Sequence, residues 1–251
     1  GLIDDLKIIN NPIVRLILLF LVTLFAIHIS ELLINRVNLP TLDYVLKIEI
    51  ISYFFTLIAI IFIVNGANFI DGFNGLLGIQ SLTIFLILFL INFLNGNEAL
   101  ALIILYFSCC TLIFLYFNFP YAKIFMGDSG SFLTGSAIAI FVIKSYQLND
   151  NLSSTFFACI LFYLFYETFF SFFRKLIVFK KSPLRPDSFH LHMLTYKLLL
   201  KSNLNQKLSN YLTSILCNLC YITLLIPLLF IANNTIFCLV YFIILLFFYT
   251  S

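Results

Sequence analysis

Eight long apolar runs separated by short polar knots make up nearly the whole chain. The runs cover roughly 13–34, 46–64, 77–94, 98–117, 131–147, 153–173, 209–232 and 235–250. Each is apolar around its whole circumference rather than along one stripe. A bilayer crossing takes about 20 such residues, so the pattern predicts an all-α, polytopic transmembrane helix bundle with about eight spanning helices. No internal repeat and no linker interrupts it, and residues 1–251 read as a single transmembrane domain.

The knots follow a rule of their own. Asp4-Asp5 precedes the first run, and Asn65-Gly66-Ala67-Asn68-Phe69-Ile70-Asp71-Gly72-Phe73-Asn74-Gly75 follows the second. Phe125-Met126-Gly127-Asp128-Ser129-Gly130-Ser131 follows the fourth, and a long polar loop over about 174–208, with Arg185 to His192 at its centre, follows the sixth. Successive knots are two crossings apart, so all four fall on one face of the membrane. Of the 14 Lys and Arg residues, only Arg36, Lys47 and Lys144 fall on the opposite side. That bias marks the knot side as cytoplasmic, with the chain as a multi-pass protein of a plasma (bacterial inner) membrane.

Composition agrees and narrows the options. The chain is 62% hydrophobic and 10% charged, with mean hydropathy +1.09. Ordinary globular chains are about half apolar and about a quarter charged, which excludes a soluble domain. A net charge of +3 is too small to suggest nucleic acid as a partner. Six cysteines lie within apolar runs; Cys217 and Cys220 have CxxC spacing but no histidine or basic residue nearby, and read as small apolar side chains. Nothing in the pattern calls for disulfides. The chain opens on Gly1-Leu2-Ile3-Asp4-Asp5 with no signal-peptide pattern, and reads as one whose earlier helices are missing.

The chemistry sits in the knots. Gly127 and Gly130 allow the backbone to approach a bound group, while Ser129 or Ser131 can cap the helix that follows. Exposed N–H groups at a helix start favour phosphate, and Asp128 beside them favours a phosphate-bound divalent cation; the alternative is a tight turn with an N-cap. Asp4 and Asp5 are paired acids able to hold a cation or serve as a base, or simply a solvated helix start. Asn68 and Asp71 share a face if the backbone there is helical, and Asn65 and Asn74 add amides for a sugar, a base or a metal-bound phosphate. Asn118 precedes Lys123, which can pair with phosphate, and Phe125, which can stack on a flat base. In the last loop Arg185, His190 and His192 supply donors for an anion, the two histidines lying on one side of an extended or irregular backbone. Glu167, inside the sixth run, is either a functional acid or the partner of Arg174.

Taken together, the stretches Gly1 to Asp5, Asn65 to Gly78, Asn118 to Gly135 and Ser182 to Leu194 resemble the polyprenyl-phosphate N-acetylhexosamine-1-phosphate transferases, the family of WecA, TagO and MraY. The resemblance covers nearly the whole chain, in family order. It implies passage of an N-acetylhexosamine-1-phosphate, GlcNAc-1-phosphate first among them, from a UDP-sugar to undecaprenyl phosphate within membrane lipid, releasing UMP with Mg2+, or Mn2+ in its place. It also implies an initiating step of O-antigen or other surface polysaccharide synthesis, and allows a homodimer. By resemblance Asp128 binds the metal, and Asp71 and Asn68 line the nucleotide-sugar site with Phe125 near the uracil. Asp4 and Asp5 handle the polyprenyl phosphate, and Lys123, Arg185, His190 and His192 contact phosphates or sugar. Direct attack and an aspartyl-phosphate intermediate both stay open.

Four departures matter. His190-Leu191-His192-Met193 lacks the three-histidine run of MraY-type members and is similar to the WecA side. Met193 stands where a histidine is common, and Asn74 where many members have aspartate. The family also has about three helices before its Asp-Asp pair. Other readings are another N-acetylated sugar of the fucosamine or quinovosamine type, a decayed member without activity, and an ion-coupled transporter. The last fits poorly, because transporter sites sit near the bilayer midplane in broken helices, often between two related halves.

Overall fold

The structure is a computed structural model that describes residue 5 and residues 12–180, 182 and 188–250. Its regular elements are helical throughout. They run α1 (Pro12–Ser30), α2 (Pro40–Leu46), α3 (Glu49–Ile70), α4 (Leu76–Leu94), α5 (Glu98–Asn118), α6 (Gly127–Leu148), α7 (Ser154–Ile160), α8 (Phe162–Phe173), α9 (Leu191–Lys201), α10 (Gln206–Ile231) and α11 (Thr235–Thr250). Among the described residues six helices are long and apolar enough to cross a membrane, and a seventh span is made by α7 and α8 together. The eighth run forms α11, whose 16 residues are shorter than a full crossing.

Three boundaries differ from the sequence reading, each for a local reason. The second run does not stop near residue 64: α3 carries its helix through Asn65 and Asn68 to Ile70. The fifth run starts earlier, so Gly127 and Asp128 already belong to the first turn of α6. The sixth run is broken, α7 and α8 meeting at a 74° bend around Leu161. The Tyr221 hydroxyl donates to the Ile160 carbonyl at 2.6 Å there, satisfying a group the bend would strand. The 174–208 loop is also not all loop, since a π-helical turn (Arg174–Val178) continues α8 and α9 occupies its centre.

Helix α3 is the axis of the bundle, packed on α6 and α8, while α4 packs on α5. Its buried face includes Leu57, Ile60, Ile63, Val64, Ala67 and Ile70. Small residues set the spacing: a Cβ at Gly135 of α6 would stand 2.9 Å from Val64 Cα and 2.9 Å from Ala67 Cβ. Close backbone approach of this kind lets dispersion hold helices together where lipid removes the hydrophobic drive.

The end of α6 remote from the knots is fastened by polar contacts. Asn92 donates to Ser145 Oγ at 2.7 Å, Asn149 donates to Asn92 Oδ1 at 3.2 Å, and Lys144 Nζ donates to the Ser30 carbonyl at 2.7 Å. The opposite end, which carries Asp128 in its first turn, is thereby held in a set register. All six cysteines are free thiols; Cys217 is buried and Cys220 exposed, so only the first is the buried apolar side chain that its surroundings predict for both.

Candidate active site

Asp5 ties two knots together. Its Oδ1 accepts from Asp128 N at 2.9 Å, and its Oδ2 accepts from Ser129 N at 2.9 Å and from the Ser129 hydroxyl. The carboxylate therefore caps α6 from a distant segment, and neither Ser129 nor Ser131 caps its own helix. Gly127 makes the approach possible: its φ of 66° favours glycine, and a Cβ there would stand 3.2 Å from Asp5 Oδ1. The Ser129 hydroxyl first, then the Ser129 and Asp128 N–H groups, hold the Asp5 carboxyl below the usual carboxylate range.

Asp128 is gripped from two sides. Asn68 Nδ2 donates to its Oδ1 at 2.9 Å and to Ser131 Oγ at 3.0 Å, while Arg15 Nη1 lies 3.4 Å from its Oδ2. Asn68 reaches it because α3 stays helical past residue 64. Asp71, at the end of the same helix, is partly buried beside it. Burial first, and then the negative charge of Asp128, pushes the Asp71 carboxyl up to about 7.

That shift has a sign that can be checked. Between the ordinary Asp value of 3.8 and about 7, the unfolded chain has released the proton that the folded chain keeps. Stability in EDTA should therefore fall as pH rises through that window, and level off above it. Thermal unfolding in detergent should show this slope for the natural protein and lose it in Asp71→Asn. Equal slopes would remove the assignment.

The histidine segment meets the second knot. His190 packs on Phe69 with ring centroids 5.4 Å apart, and His192 packs edge-on to Phe73 at 5.6 Å. The two imidazoles are parallel within 6°, because His190 has extended backbone as the N-cap of α9 while His192 lies in its first turn. His192 is fully enclosed. Glu167 of α8, itself 1% exposed, lies beneath both. It receives His190 Nδ1 at 2.6 Å and Leu191 N at 3.0 Å, with His192 Nδ1 at 3.6 Å. The Arg174 guanidinium sits over the Phe189 ring at 5.8 Å.

The remaining sequence candidates divide. Asn118 is buried and structural in its contacts: it accepts from Gly75 N at 2.6 Å and donates to the Ile124 carbonyl at 2.8 Å, joining two knots. Asn74 makes a similar tie to the Pro120 carbonyl at 3.0 Å. Asn65 donates to the Ile61 carbonyl of its own helix at 2.8 Å. Lys123 is exposed, and Phe125 is 78% exposed, both in the segment leading into α6. Asp4 and Arg185 lie outside the described residues. Arg15 entered the sequence reading only as a marker of sidedness, and Lys175, whose ammonium stands 5.8 Å over the Phe69 ring, also as one of the basic residues of the last loop. Their placement at the knot end of α1 and in the π-helical turn that continues α8 was the available signal.

Two carboxylates and an amide are hard oxygen donors, the set that suits Mg2+ or Mn2+ rather than a soft ion. Among the described residues no three His, Cys, Asp or Glu side chains form a cage sufficient by itself. Mg2+ sites commonly use only one or two carboxylates, completed by substrate phosphate and water. The donor set fits such a shared ion.

Comparison with known proteins bears on the family and not on the metal. The sequence profile described as Glycosyl transferase family 4 matches residues 1–146, which include Asp5, Asn68, Asp71 and Asp128. An undecaprenyl-phosphate alpha-N-acetylglucosaminyl 1-phosphate transferase of Thermotoga maritima is 36% identical over 129 residues, covering 51% of this chain and 38% of that protein. A phospho-N-acetylmuramoyl-pentapeptide-transferase of Dictyoglomus thermophilum is 31% identical over 197 residues, covering 73% and 61%. A probable undecaprenyl-phosphate N-acetylglucosaminyl 1-phosphate transferase of Bacillus subtilis is 32% identical over 158 residues, covering 62% and 43%. The chain thus spans between 38% and 61% of the length of these relatives. With more than half of its residues matched, and the acids of three knots inside the match, the chain belongs to glycosyl transferase family 4.

Proposed function

We propose that this chain carries the catalytic core of a sugar-1-phosphate transferase acting on undecaprenyl phosphate. The observation that carries the reading is Asp128, held at the start of α6 between Asn68 and Arg15, beside Asp71, with Asp5 closing the helix end. In the proposed reaction an oxygen of the lipid phosphate attacks the sugar-bearing phosphorus of a UDP-N-acetylhexosamine. The bond from that phosphorus to the bridging oxygen breaks, and the oxygen leaves with UMP. Two anions must meet, so their repulsion is the main barrier to binding.

Mg2+, held by Asp128 with Asp71 near, would offset diphosphate charge and favour departure of UMP. Arg15 and Lys175 supply fixed positive charge at the same end of the bundle. Asn68 fixes the rotamer of Asp128. Asp5 has both oxygens committed to the α6 N-terminus, so we assign the lipid phosphate to Asp4. Phe125 offers an exposed ring for the uracil. The excess of basic residues on the knot side supports a cytoplasmic site in a plasma membrane, where undecaprenyl phosphate reaches it sideways from the bilayer. GlcNAc-1-phosphate is the proposed cargo, with O-antigen or a related surface glycan as the product line. A second reading, transfer of phospho-N-acetylmuramoyl-pentapeptide, has the support of the Dictyoglomus relative; His190-Leu191-His192-Met193 speaks against it.

Membranes holding the protein, incubated with undecaprenyl phosphate, Mg2+ and each labelled UDP-sugar in turn, test the reading. Labelled lipid and stoichiometric UMP are expected with UDP-GlcNAc. Neither product with any UDP-N-acetylhexosamine, the muramoyl-pentapeptide nucleotide included, would sink it.

A further inference from the structure

We propose that Glu167 is a positioning residue of the site, holding the Nδ1 edge of His190 so that Nε2 of that ring faces away from α8. The inference rests on the transferase reading for its functional part and on geometry for the rest. Glu167 is a carboxylate 1% exposed in the wall of the bundle. A buried carboxylate persists only where donors compensate it, and here three of the groups around it come from one short segment. His190 Nδ1 approaches Oε2 at 2.6 Å, Leu191 N donates to Oε1 at 3.0 Å, and His192 Nδ1 stands 3.6 Å from Oε1.

Leu191 is the first residue of α9, so the same carboxylate also sits on a helix N-terminus, where negative charge is favoured. The arrangement repeats what Asp5 does for α6. In both places a distant acid grips the first turn of the helix that carries the chemistry.

The neighbours leave His190 few alternatives. Phe69 covers one side of its ring at 5.4 Å, and the parallel His192 ring stands at 5.4 Å. His192 is held in turn by the Tyr163 hydroxyl, 3.3 Å from its Nδ1, and its Nε2 is enclosed with no hydrogen-bond partner among the described residues. Tyr163 and Glu167 are four apart on α8, one turn of one helix face. A hydrogen bond at Nδ1 decides which ring nitrogen is presented elsewhere. Glu167 thereby presents Nε2 of His190, and α8 sets its direction.

The test uses the whole chain in detergent or membranes, labelled with 15N-histidine. His28, His190 and His192 are the three histidines, and single substitutions assign their signals. In the natural protein His190 should show a protonated Nδ1 with a strongly downfield proton, and Glu167→Gln should remove that signal. A His190 signal with unprotonated Nδ1 in the natural protein overturns the inference, whether or not any variant folds.

Turnover supplies the second arm. Glu167→Gln should lower kcat by about 10- to 100-fold with little change in KM, as expected when a carboxylate that orients a functional histidine is lost. On a His190→Ala background the same exchange should cost nothing further, because Glu167 acts through that ring. Additive losses would overturn the inference, since a purely structural role would add. Absence of transfer by the natural protein would instead sink the transferase reading, and the histidine signals would still decide the geometry.

Discussion

Exchanging Asp128 for Asn should cut sugar-1-phosphate transfer by about 100- to 1,000-fold, the usual cost of removing one preorganised charge-stabilising group. The substitution is close to isosteric, and the fold does not depend on the charge it removes. Asp5 bonds to the backbone N–H of residue 128, not to its side chain. Asn68 Nδ2 can still donate to the remaining side-chain oxygen. What disappears is the second anionic oxygen, the one 3.4 Å from Arg15, and with it the hard ligand that a diphosphate-bound Mg2+ needs. The assay of labelled lipid from UDP-GlcNAc checks the rate, and Mn2+ binding followed by electron paramagnetic resonance checks the metal. Near-normal turnover would refute Asp128 as the metal ligand.

Gly66→Ala should be the most damaging small substitution outside the site. A Cβ at Gly66 would stand 2.2 Å from the Leu164 carbonyl oxygen and 2.8 Å from its carbon. Backbone cannot swing aside, so α3 and α8 would have to separate. Both are pinned nearby, Thr168 Oγ1 donating to the Phe62 carbonyl at 3.0 Å. Overpacking of this kind costs about 3 kcal/mol at the upper end of its range, which corresponds to about 6–12 °C in Tm for a chain of this size. Activity should fall with it, since α3 carries Asn68 and α8 carries Glu167. Gly72→Ala, where the added carbon meets nothing within 4 Å, is the stability control. Matching melting curves for the two variants would show that helix contact at Gly66 tolerates a methyl group.

Much of this molecule is legible in its sequence. Apolar runs report a membrane directly, because lipid forces every backbone group into internal hydrogen bonds and leaves helices as the economical solution. Counting crossings placed the four knots on one face, and the described ones do meet: Asp5 on Asp128, Asn68 on Asp128, His190 on Phe69. Hydropathy could not show that polar residues such as Asn65 and Asn68 continue a helix, since it measures the cost of transfer and not the hydrogen-bond ladder. Nor could it show the break at Leu161, which interrupts a stretch of unchanged apolarity.

The partners of charged groups were the least readable part. Arg15 lies 113 positions from Asp128, and Glu167 lies 23 and 25 positions from His190 and His192. Spacing along a chain predicts contacts only within one helix or one hairpin. Glu167 was therefore left between a catalytic role and a pair with Arg174 until the bend in α7–α8 and the start of α9 set it under the histidines.

The sequence by itself determined the class of fold, the face on which chemistry collects and the kinds of donor available there, because composition and periodicity act locally and additively. Tertiary structure alone decided which donors face one another. It made Asp5 a cap for α6, turned Asn118 into a tie between knots, and put Arg15 on Asp128. Those assignments depend on how Gly66 and Gly135 let backbones, and Gly127 the Asp5 carboxylate, approach within van der Waals contact. Such packing distances follow from all the helices at once, and no single stretch of the chain contains them.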